Sequence, residues 1–404
     1  MNRFKRFIPQ KAINYFKHLP IAAFANLYFG FPARKLRVIG VTGTEGKTTT
    51  VNLIGHVLKE AGLPVAFVST VSAKVGKQEI DTGLHVTSPS PWPLQKLLRQ
   101  MVDEDVKYVV LEVTSNGLDQ FRFFGINFDV GVLTNITRDH LDYHKTVDNY
   151  RRAKLKLFEN AKTAILNGDD PSFDYIKDKI QNNKNKKILS YGIKNEADFT
   201  PEKFKFTTKL LGDYNCYNCL AAIATALSLK IDPKIVTRAI ASFTGVTGRL
   251  EEVVEGQDFK VYVDFAHSPN STEQALKTLK QSLNGKGKLI AVFGSAGHRD
   301  KEKRPLMGEA AGKYADMIVL TTDDPRTDKV SEICSQIAQG CRKVGVEPKV
   351  IEDRKQAIKY AFDQAKKGDI VALLGKGHEK SLAIGKAEIP WSDKQVAIEL
   401  LRRK

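Results

Sequence analysis

Residues 41–50, with the sequence VTGTEGKTTT, combine glycines, one lysine and several hydroxyl side chains. Glycines let backbone N–H groups approach phosphate oxygens, a lysine neutralises the terminal phosphates of a nucleoside triphosphate, and a threonine hydroxyl can coordinate Mg²⁺. The spacing departs from the common pattern, because Val41 stands where the first glycine is expected. We predict a phosphate loop, the alternative being a glycine-rich turn with an incidental lysine. Its candidate nucleotide-binding residues are Gly43, Thr44, Glu45, Gly46, Lys47, Thr48 and Thr49.

Glu112 closes the apolar stretch YVVLEV, which we predict to be a buried strand. Open α/β sheets bind their ligands at the carboxyl ends of the strands. A carboxylate at that edge is a suitable second ligand for Mg²⁺, since this cation prefers oxygen donors. A surface contact is the alternative role.

A second group of polar side chains follows the predicted strand FDVGVLTNI. Such a density of ligand-capable groups is uncommon in a connector, although capping or surface hydrogen bonding explains any one of them. Lys154 follows on a predicted helix with apolar neighbours, so we expect it near the core. A lysine beside a metal would repel it unless the amine were neutral or modified. The group comprises Asn135, Asp139, His140, Asp142 and His144.

Short apolar runs alternate with amphipathic stretches from Arg37 onward, and a second such series follows FTGVTGRLE. Strands alternating with helices predict a mostly parallel, doubly wound sheet in each series. We expect a central ATP-binding domain of the P-loop type and a Rossmann-like C-terminal domain. Residues 180–190 are predicted to form a surface turn. The predicted divisions are 1–36, a short basic aromatic segment, then 37–247 and 248–404.

The chain carries a formal net charge of +17, which suits anionic partners. Residues 1–37 contain eight basic and no acidic side chains, together with eight aromatic ones. Two interpretations of this segment are compatible with the sequence: contact with an anionic membrane surface, or docking on the next domain. The predicted ATP site favours a cytoplasmic location of the protein. No nucleic-acid-binding motif accompanies the charge, so we expect no nucleic-acid partner.

From about Leu36 to the C-terminus the chain resembles the Mur ligase family, most closely the branch that adds the third residue of the muramyl peptide. This similarity rests on motifs that follow one another in the family order. They are GTEGKTTT, LEVTSNGLDQFR, TNITRDHLDYH, YRRAKLKLF, GDYNCYN, GRLE, VDFAHSP, VFGSAGHRDKEKRPLMG, DDPR and GKGHE.

The resemblance implies that ATP converts an acceptor carboxylate into an acyl phosphate, which an incoming amino group attacks with release of ADP and phosphate. It implies that Lys47 binds the β- and γ-phosphates and that Thr48 and Glu112 hold one Mg²⁺. His140, with Glu112, would help to hold a second Mg²⁺. Lys154 is similar in position to the family's carbamylated lysine, whose negative charge would support a metal.

Further roles are implied by the same resemblance. Asn215 and Asn218 resemble adenine contacts, Arg249 and Asp264 resemble phosphate and ribose contacts, and closure of the C-terminal domain would complete the site. Implied acceptor-binding residues are Thr87, Ser88, Thr114, Ser115 and Arg122. Implied amino-acid-binding residues are Arg304, Asp324, Arg326, Gly375 and Glu379, with Arg326 suited to a carboxylate and Glu379 to a distal ammonium group.

Departures from the family pattern leave alternatives open. Asp324 stands where the family has asparagine, so L-lysine competes with meso-diaminopimelate as the amino acid. The family's N-terminal domain, which holds the UDP-sugar, is reduced to residues 1–36, so a lipid-linked or free muramyl peptide competes with a UDP-linked acceptor. A catalytically silent nucleotide-binding partner in cell-wall assembly is the alternative of another class. We expect a monomer.

Overall fold

Two compact units make up the protein. The structure, a computed structural model, describes residues 9–71, 73–75, 78–80, 88–137 and 139–402. Contacts divide the chain into a first unit of Met1–Leu210 with Tyr214–Thr244 and a second unit of Leu211–Asp213 with Gly245–Lys404.

The first unit is built on an eight-stranded sheet of order β4-β3-β2-β5-β1-β6-β7-β8. The six strands from β2 to β8 in that order are parallel, whereas β3 and β4 extend one edge with antiparallel pairs. The predicted α/β fold is thereby confirmed. The strands are β1 (Arg37–Thr42), β2 (Val65–Val68), β3 (Ala73–Val75), β4 (Gln78–Ile80), β5 (Tyr108–Glu112), β6 (Phe128–Leu133), β7 (Ala161–Asn167) and β8 (Lys187–Tyr191).

Helices of the first unit connect these strands and cover the sheet. α1 (Gln10–Ile13) continues through a π-helical turn, Asn14–His18, into α2 (Leu19–Tyr28), and a 3₁₀ turn, Pro32–Lys35, precedes β1. In the part of the chain that is described, no helix has the length and apolarity needed to cross a bilayer. The others are α3 (Lys47–Glu60), α4 (Pro91–Asp103), α5 (Ser115–Asp119), α6 (Leu141–His144), α7 (Val147–Asn160), α8 (Phe173–Ile180), α9 (Asp213–Ser228) and α10 (Pro233–Ser242).

The second unit contains a six-stranded sheet of order β13-β12-β11-β14-β10-β9, in which only the pair of β9 with β10 is antiparallel. A hairpin of β15 and β16 stands apart from it. The elements are β9 (Glu251–Val253), β10 (Lys260–Asp264), α11 (Pro269–Ser282), β11 (Leu289–Phe293), α12 (Lys303–Gly312), β12 (Met317–Leu320), α13 (Val330–Lys343), β13 (Lys349–Val350), α14 (Arg354–Gln364), β14 (Ile370–Leu374), β15 (Ser381–Ile384), β16 (Ala387–Pro390) and α15 (Asp393–Arg402).

The central strands of the second unit are apolar throughout because they are buried on both faces. Alternate residues of β11 enter two different cores: Leu289 and Phe293 pack in one, Ile290 and Val292 in the other. Side chains of a strand point to opposite faces in turn, so a strand covered on both sides needs a continuous apolar run. This burial explains why LIAVF is recognisable as a strand although it lacks alternation.

One local prediction is wrong in part. The sequence predicts a surface turn over residues 180–190, but the turn ends before Lys187, where β8 begins. β8 pairs in parallel with β7 from Thr163↔Lys187 to Asn167↔Tyr191. Its lysine-rich start hides the strand pattern, and this composition is common at a sheet edge, where charge opposes pairing with other chains.

A buried ion pair fixes the loop that follows β12. The Arg354 guanidinium donates to both carboxylate oxygens of Asp393, at 2.7 and 2.6 Å, and to the backbone oxygens of Thr322 and Leu374. Both charged side chains are almost completely inaccessible to solvent. The pair therefore ties α14 and α15 to the ends of β12 and β14.

We predict that Asp393→Ala lowers the free energy of unfolding of the second unit by about 3–5 kcal/mol, because the Arg354 charge would stay buried without its partner. The chain has two tryptophans, so in a Trp92→Phe background guanidinium unfolding can be followed through Trp391 alone. Asp363→Ala is the control, since it removes the exposed partner of Lys359 and should cost less than about 1 kcal/mol. Equal losses in the two variants would contradict a structural role for the buried pair.

Candidate active site

The phosphate loop lies between β1 and α3, and its two glycines are required by close contacts. A Cβ atom added at Gly43 would lie 1.8 Å from Thr134 Oγ1, and one at Gly46 would lie 2.4 Å from Asn218 Oδ1. Gly46 also has φ of 79° and caps α3. Only glycine satisfies both conditions there, so the N-terminal end of α3 stays open to a phosphate group.

Hydrogen bonds from the segment after β6 hold this loop in place. Asn135 accepts from the Glu45 N–H at 3.0 Å and donates to the Glu45 carbonyl at 3.1 Å, while Thr134 Oγ1 donates to the same carbonyl at 2.6 Å. Thr44 Oγ1 lies 3.1 Å from the Tyr150 hydroxyl. Burial raises the pKa of Tyr150, so this hydroxyl stays protonated. The loop is therefore rigidly positioned by residues distant in sequence.

Glu112 lies at the carboxyl end of β5, as predicted, and next to the phosphate loop. Its carboxylate accepts from Thr48 Oγ1 at 3.0 and 3.2 Å and from the Thr70 N–H at 2.9 Å. The parallel register of β5 and β1 places Glu112 beside Val41, where the phosphate loop begins. This register brings the carboxylate close to Thr48. A buried carboxylate and a hydroxyl form a hard oxygen donor set, which fits Mg²⁺.

Within the described residues, the side chains beside the phosphate loop supply only a few candidate ligands for a metal ion. Over the described ranges, no three His, Cys, Asp or Glu side chains are grouped to hold an ion. Mg²⁺ characteristically takes one or two protein ligands and completes its shell with water and substrate phosphates. The Thr48–Glu112 pair matches that mode of binding.

Lys154 lies on α7 with only 1% of its surface exposed, which agrees with its expected place near the core. Its Nζ donates to the Gly43 carbonyl at 2.5 Å and lies 4.4 Å from the centroid of the Tyr150 ring. Burial, and then repulsion by Lys47, hold the pKa of Lys154 well below its usual value. The lowered pKa increases the fraction of neutral amine, the form that reacts with electrophiles such as CO₂.

His140 lies at the start of α6 with φ of 53°, and its side chain is exposed. Its ring lies 6.1 Å from the Tyr150 ring, and its Nε2 lies 3.5 Å from an oxygen of Asp139. Tyr150 thus lies close to three predicted site residues, Thr44, His140 and Lys154. Tyr150 was not among the residues singled out from the sequence, although it lies four positions before Lys154 on the same helix.

Four of the five predicted acceptor-binding residues gather beside Glu112, whereas Thr87 lies outside the described residues. Ser88 Oγ donates to the Glu112 backbone oxygen at 3.0 Å and accepts from the Thr114 hydroxyl at 2.9 Å. Arg122 donates to the Ser88 carbonyl at 2.5 Å. Ser115 Oγ lies 3.0 Å from Nε2 of His144, a residue whose positioning role the sequence did not reveal.

The residues predicted to bind adenine lie on α9. Asn218 Nδ2 donates to Asn215 Oδ1 at 2.8 Å, and Thr50 Oγ1 donates to Asn218 Oδ1 at 3.2 Å. The spacing of three positions places both amides on one face of the helix. Through Thr50 and the close contact with Gly46, Asn218 adjoins the start of α3.

In the second unit, Asp264 ends β10, and Arg249, which precedes β9, lies close to this strand end. Asp264 accepts from the backbone N–H groups of Leu250 and Ala266, both at 2.7 Å. Burial raises the pKa of Asp264, while the nearby Arg249 charge opposes this shift. The Arg249 guanidinium stacks on the Phe265 ring at 4.7 Å.

Arg304 and Arg326 both contact the loop that follows β11. Arg304 is buried and donates to Gln336 at 2.7 Å and to Asp328 and the Ala296 carbonyl, both at 3.1 Å. Arg326, half-buried with φ of 50°, donates to the Gly297 carbonyl at 2.5 Å. Arg304 is thus engaged in positioning the loop on which Arg326 rests.

A cluster of three carboxylates surrounds Lys376. Its Nζ lies 2.8 Å from Asp324 Oδ1 and 2.5 Å from Glu379 Oε2, and Asp323 is close in space. Burial raises the pKa of Glu379 to about 7, partly offset by Lys376. With one lysine among three acids, ionisation of all of them leaves negative charge that would attract a further cation.

Asp324 and Gly375 are part of the same cluster. Asp324 Oδ1 also accepts from the Ala383 N–H at 2.9 Å. The Lys376 amine and the Ala383 N–H both donate to Asp324. A carboxylate only accepts hydrogen bonds, so an aspartate fits both contacts at this position. Gly375 leaves room for Asp323, since a Cβ there would lie 2.2 Å from Asp323 Oδ2. Lys376 lies inside the GKGHE motif but was not among the predicted site residues.

Comparison with known proteins now identifies the family. The profile of the Mur ligase middle domain matches residues 41–226, and that of the Mur ligase glutamate ligase domain matches residues 248–377. The chain belongs to the Mur ligase family. It is therefore a member of a family of ATP-dependent ligases that form carbon–nitrogen bonds, as the sequence motifs predicted.

Individual relatives agree with this assignment. A UDP-N-acetylmuramoyl-L-alanyl-D-glutamate–2,6-diaminopimelate ligase of Syntrophomonas wolfei is 40% identical over 95% of this chain and 82% of its own length. A solved structure of a ligase with that name is 32% identical, with a TM-score of 0.63 over 91% of this chain and 78% of that one. A Mycobacterium tuberculosis folylpolyglutamate synthase complexed with ADP is 17% identical, with a TM-score of 0.69 over 88% and 91%. This last similarity concerns the fold alone.

We predict that Gly46→Ala weakens ATP binding at least tenfold, because the new Cβ would strike Asn218 and close the phosphate loop. Gly62→Ala is the matched control, since Gly62 has φ of 74° but nothing within 4 Å of the added atom. It should cost only about 1 kcal/mol of stability and leave ATP affinity unchanged. Titration with a fluorescent ATP analogue measures affinity, and loss of it in both variants alike would contradict a specific role of Gly46.

Proposed function

We propose that this protein is an ATP-dependent amide ligase that adds a diamino acid, meso-diaminopimelate, to the D-glutamate carboxylate of a muramyl dipeptide acceptor in peptidoglycan precursor synthesis. The reaction would form an acyl phosphate on the acceptor, which the amino group of the diamino acid attacks, releasing ADP and phosphate. The relatives' names and the family assignment support this choice.

The observation that carries the proposal is the meeting of two groups of residues at Glu112. Its carboxylate contacts Thr48 of the phosphate loop, and its backbone oxygen contacts Ser88, which joins Thr114 and Arg122. A phosphate donor bound at one side of this strand end and an acceptor carboxylate bound at the other would lie adjacent. Such proximity is what phosphoryl transfer chiefly requires.

In this proposal Lys47 neutralises the terminal phosphates, and Asn215 and Asn218 contact the adenine. Bound Mg²⁺, held by Thr48 and Glu112, would supply charge neutralisation for the transferred phosphoryl group. His140 is assigned to a second metal. Lys154 would be carbamylated: its neutral amine bonds to the carbon of CO₂ and loses a proton, which replaces a cation by an anion.

The amino acid is assigned to the second unit. The negative cluster around Lys376, through Glu379, would bind the distal ammonium group of the diamino acid. Arg326 would pair with the distal carboxylate, which meso-diaminopimelate has and L-lysine lacks. We accordingly assign residues 37–247 to ATP and the acceptor and residues 248–404 to the amino acid, with Arg249 and Asp264 contacting the nucleotide, and expect a monomer.

The test is phosphate release from ATP and Mg²⁺ with UDP-linked and UDP-free muramyl dipeptides, each crossed with meso-diaminopimelate, L-lysine and L-ornithine. We expect release with meso-diaminopimelate to exceed that with lysine by at least tenfold, about the worth of one charged hydrogen-bonded pair. A folded protein that binds ATP and releases phosphate with no pair would be a catalytically silent partner, and the proposal would be wrong.

Lys154→Ala should reduce the turnover number by at least a hundredfold, because it removes the carbamate. Acetate or propionate should partly restore it by supplying a carboxylate in the space left. Lys162→Ala, which changes an exposed lysine paired with Asp129, is the control and should have full activity. A carbamate carbon signal in ¹³C NMR after incubation with labelled bicarbonate, lost in Lys154→Ala, provides a direct measurement. Wild-type turnover in Lys154→Ala would exclude the carbamate.

The affinity for meso-diaminopimelate should rise up to about tenfold between pH 6 and pH 8, since Glu379, with a pKa of about 7, becomes ionised in this range. The ionised form is the one that attracts an ammonium group. Glu379→Gln should bind the amino acid more weakly and lose this pH dependence, while its KM for ATP stays unchanged. An unaltered pH profile of the KM for the amino acid in Glu379→Gln would contradict the role assigned to this residue.

A further inference from the structure

The helical segment of residues 10–28 carries its polar and apolar side chains in an inverted arrangement. Asn14, Ala22, Ala25 and Asn26 are buried against the rest of the first unit, whereas six of the eight large apolar side chains are exposed. A surface helix of a globular protein normally buries its bulky apolar face and exposes its polar one. The segment is therefore shaped to present an apolar face outward.

Polar contacts hold the buried side of this segment in place. Asn26 Nδ2 donates to the Phe124 carbonyl at 2.7 Å, and its side chain packs on Gly125, where a Cβ would lie 2.4 Å from Asn26 Oδ1. Asn14 Nδ2 donates to Asp119 at 2.7 Å, and Asp119 also accepts from Tyr143 and Lys156. Because these bonds are specific, rotation of the helix to bury its apolar face would break them.

The outward face is broad and rich in aromatic rings. Phe16 is 85% exposed, Leu27 66% and Tyr28 65%. Trp92, at the start of α4, extends the face, since its ring lies 4.9 Å from that of Tyr28 and stacks with Phe24 at 6.1 Å. We call this surface the aromatic face; it consists of Tyr15, Phe16, Ile21, Phe24, Leu27, Tyr28 and Trp92.

The helical segment and the turn that follows it carry charge of one sign only. Lys11 and Lys17 are exposed on the same helical segment, and Arg34 and Lys35 follow it, with Arg34 lying over the Phe31 ring at 4.3 Å. From Pro9 to Leu36 the chain has no acidic residue. An anionic lipid surface attracts a uniformly basic segment. Association with a protein partner or with a second copy of this chain does not require such a uniform charge.

We propose that the aromatic face docks on an anionic lipid bilayer, with its rings in the interfacial region and the basic side chains on the headgroup phosphates. Interfacial helices combine these features: an apolar face with tryptophan or tyrosine, lysine or arginine beside it, and too little apolar length to span. The docking is independent of the proposed reaction, because it uses none of the residues assigned to ATP, acceptor or amino acid.

Binding is tested with the full chain and vesicles of phosphatidylcholine alone or mixed with phosphatidylglycerol. In a Trp391→Phe background Trp92 is the only tryptophan. Its emission should shift to shorter wavelength with anionic vesicles, and lipids brominated near the headgroup should quench it. Raising salt from 0.05 to 0.5 M should weaken binding at least tenfold, because the shorter Debye length screens the basic side chains. Equal binding to neutral vesicles, or no shift of Trp92, would overturn the proposal.

Variants distinguish the aromatic face from general stickiness. Phe24→Ser, Leu27→Ser and Tyr28→Ser combined should weaken vesicle binding at least tenfold, whereas Val254→Ser, Val344→Ser and Val350→Ser, which change exposed apolar residues of the second unit, should not. Lys17→Glu with Lys35→Glu should weaken it similarly, and Lys194→Glu with Lys234→Glu only slightly. Circular dichroism and unchanged phosphate release with a soluble acceptor would show that the variants fold.

Sedimentation without lipid tests whether the aromatic face instead binds a second copy of this chain. A dimer that dissociates in the triple serine variant, together with vesicle binding that the variant retains, would show that the face pairs with a second copy and would overturn the proposal. A monomer whose vesicle binding requires both the rings and the basic residues would support it.

Discussion

The position of Glu112 is the constraint on which the first unit depends. A carboxylate buried at the end of a central parallel strand is stable only with donors around it, and it receives them from Thr48 and the Thr70 N–H. The same residue accepts from Ser88 through its backbone oxygen. One strand end thus fixes the phosphate loop and the segment at Ser88 relative to each other.

Burial of charge in the second unit follows a different principle. Arg354 is fully satisfied by Asp393 and two carbonyls, so it acts as a structural tie. Lys376 is instead surrounded by more carboxylates than it can neutralise. Burial, and to a smaller extent the charges of Asp323 and Asp324, raise the pKa of Glu379. The cluster around Lys376 has excess negative charge, which is well suited to a cationic group. The Arg354–Asp393 pair holds the cluster in place through the backbone oxygens of Thr322 and Leu374.

The aromatic face shows how polar contacts can decide which side of a helix is buried. Asn14 and Asn26 find specific partners in Asp119 and the Phe124 carbonyl, and small residues between them allow close packing. Burying bulky rings instead would leave those amides without partners in an apolar contact. The helix thereby keeps an apolar surface exposed.

The fold class, the strand that ends at Glu112, the strand before Asn135 and the family can be predicted from the sequence, because apolar runs and glycine-lysine spacing are local properties. The sequence also indicated Lys47, Glu112 and Lys154 as candidate phosphate- and metal-binding residues. The tertiary structure is needed to see the contacts of these and other site residues: the Gly43 carbonyl beside Lys154, His144 beside Ser115, and Asp324 beside Lys376. It also revealed β8, whose charged start conceals the strand, and the outward face of residues 10–28. These features depend on contacts between residues tens of positions apart, and no local pattern of side chains encodes such pairings.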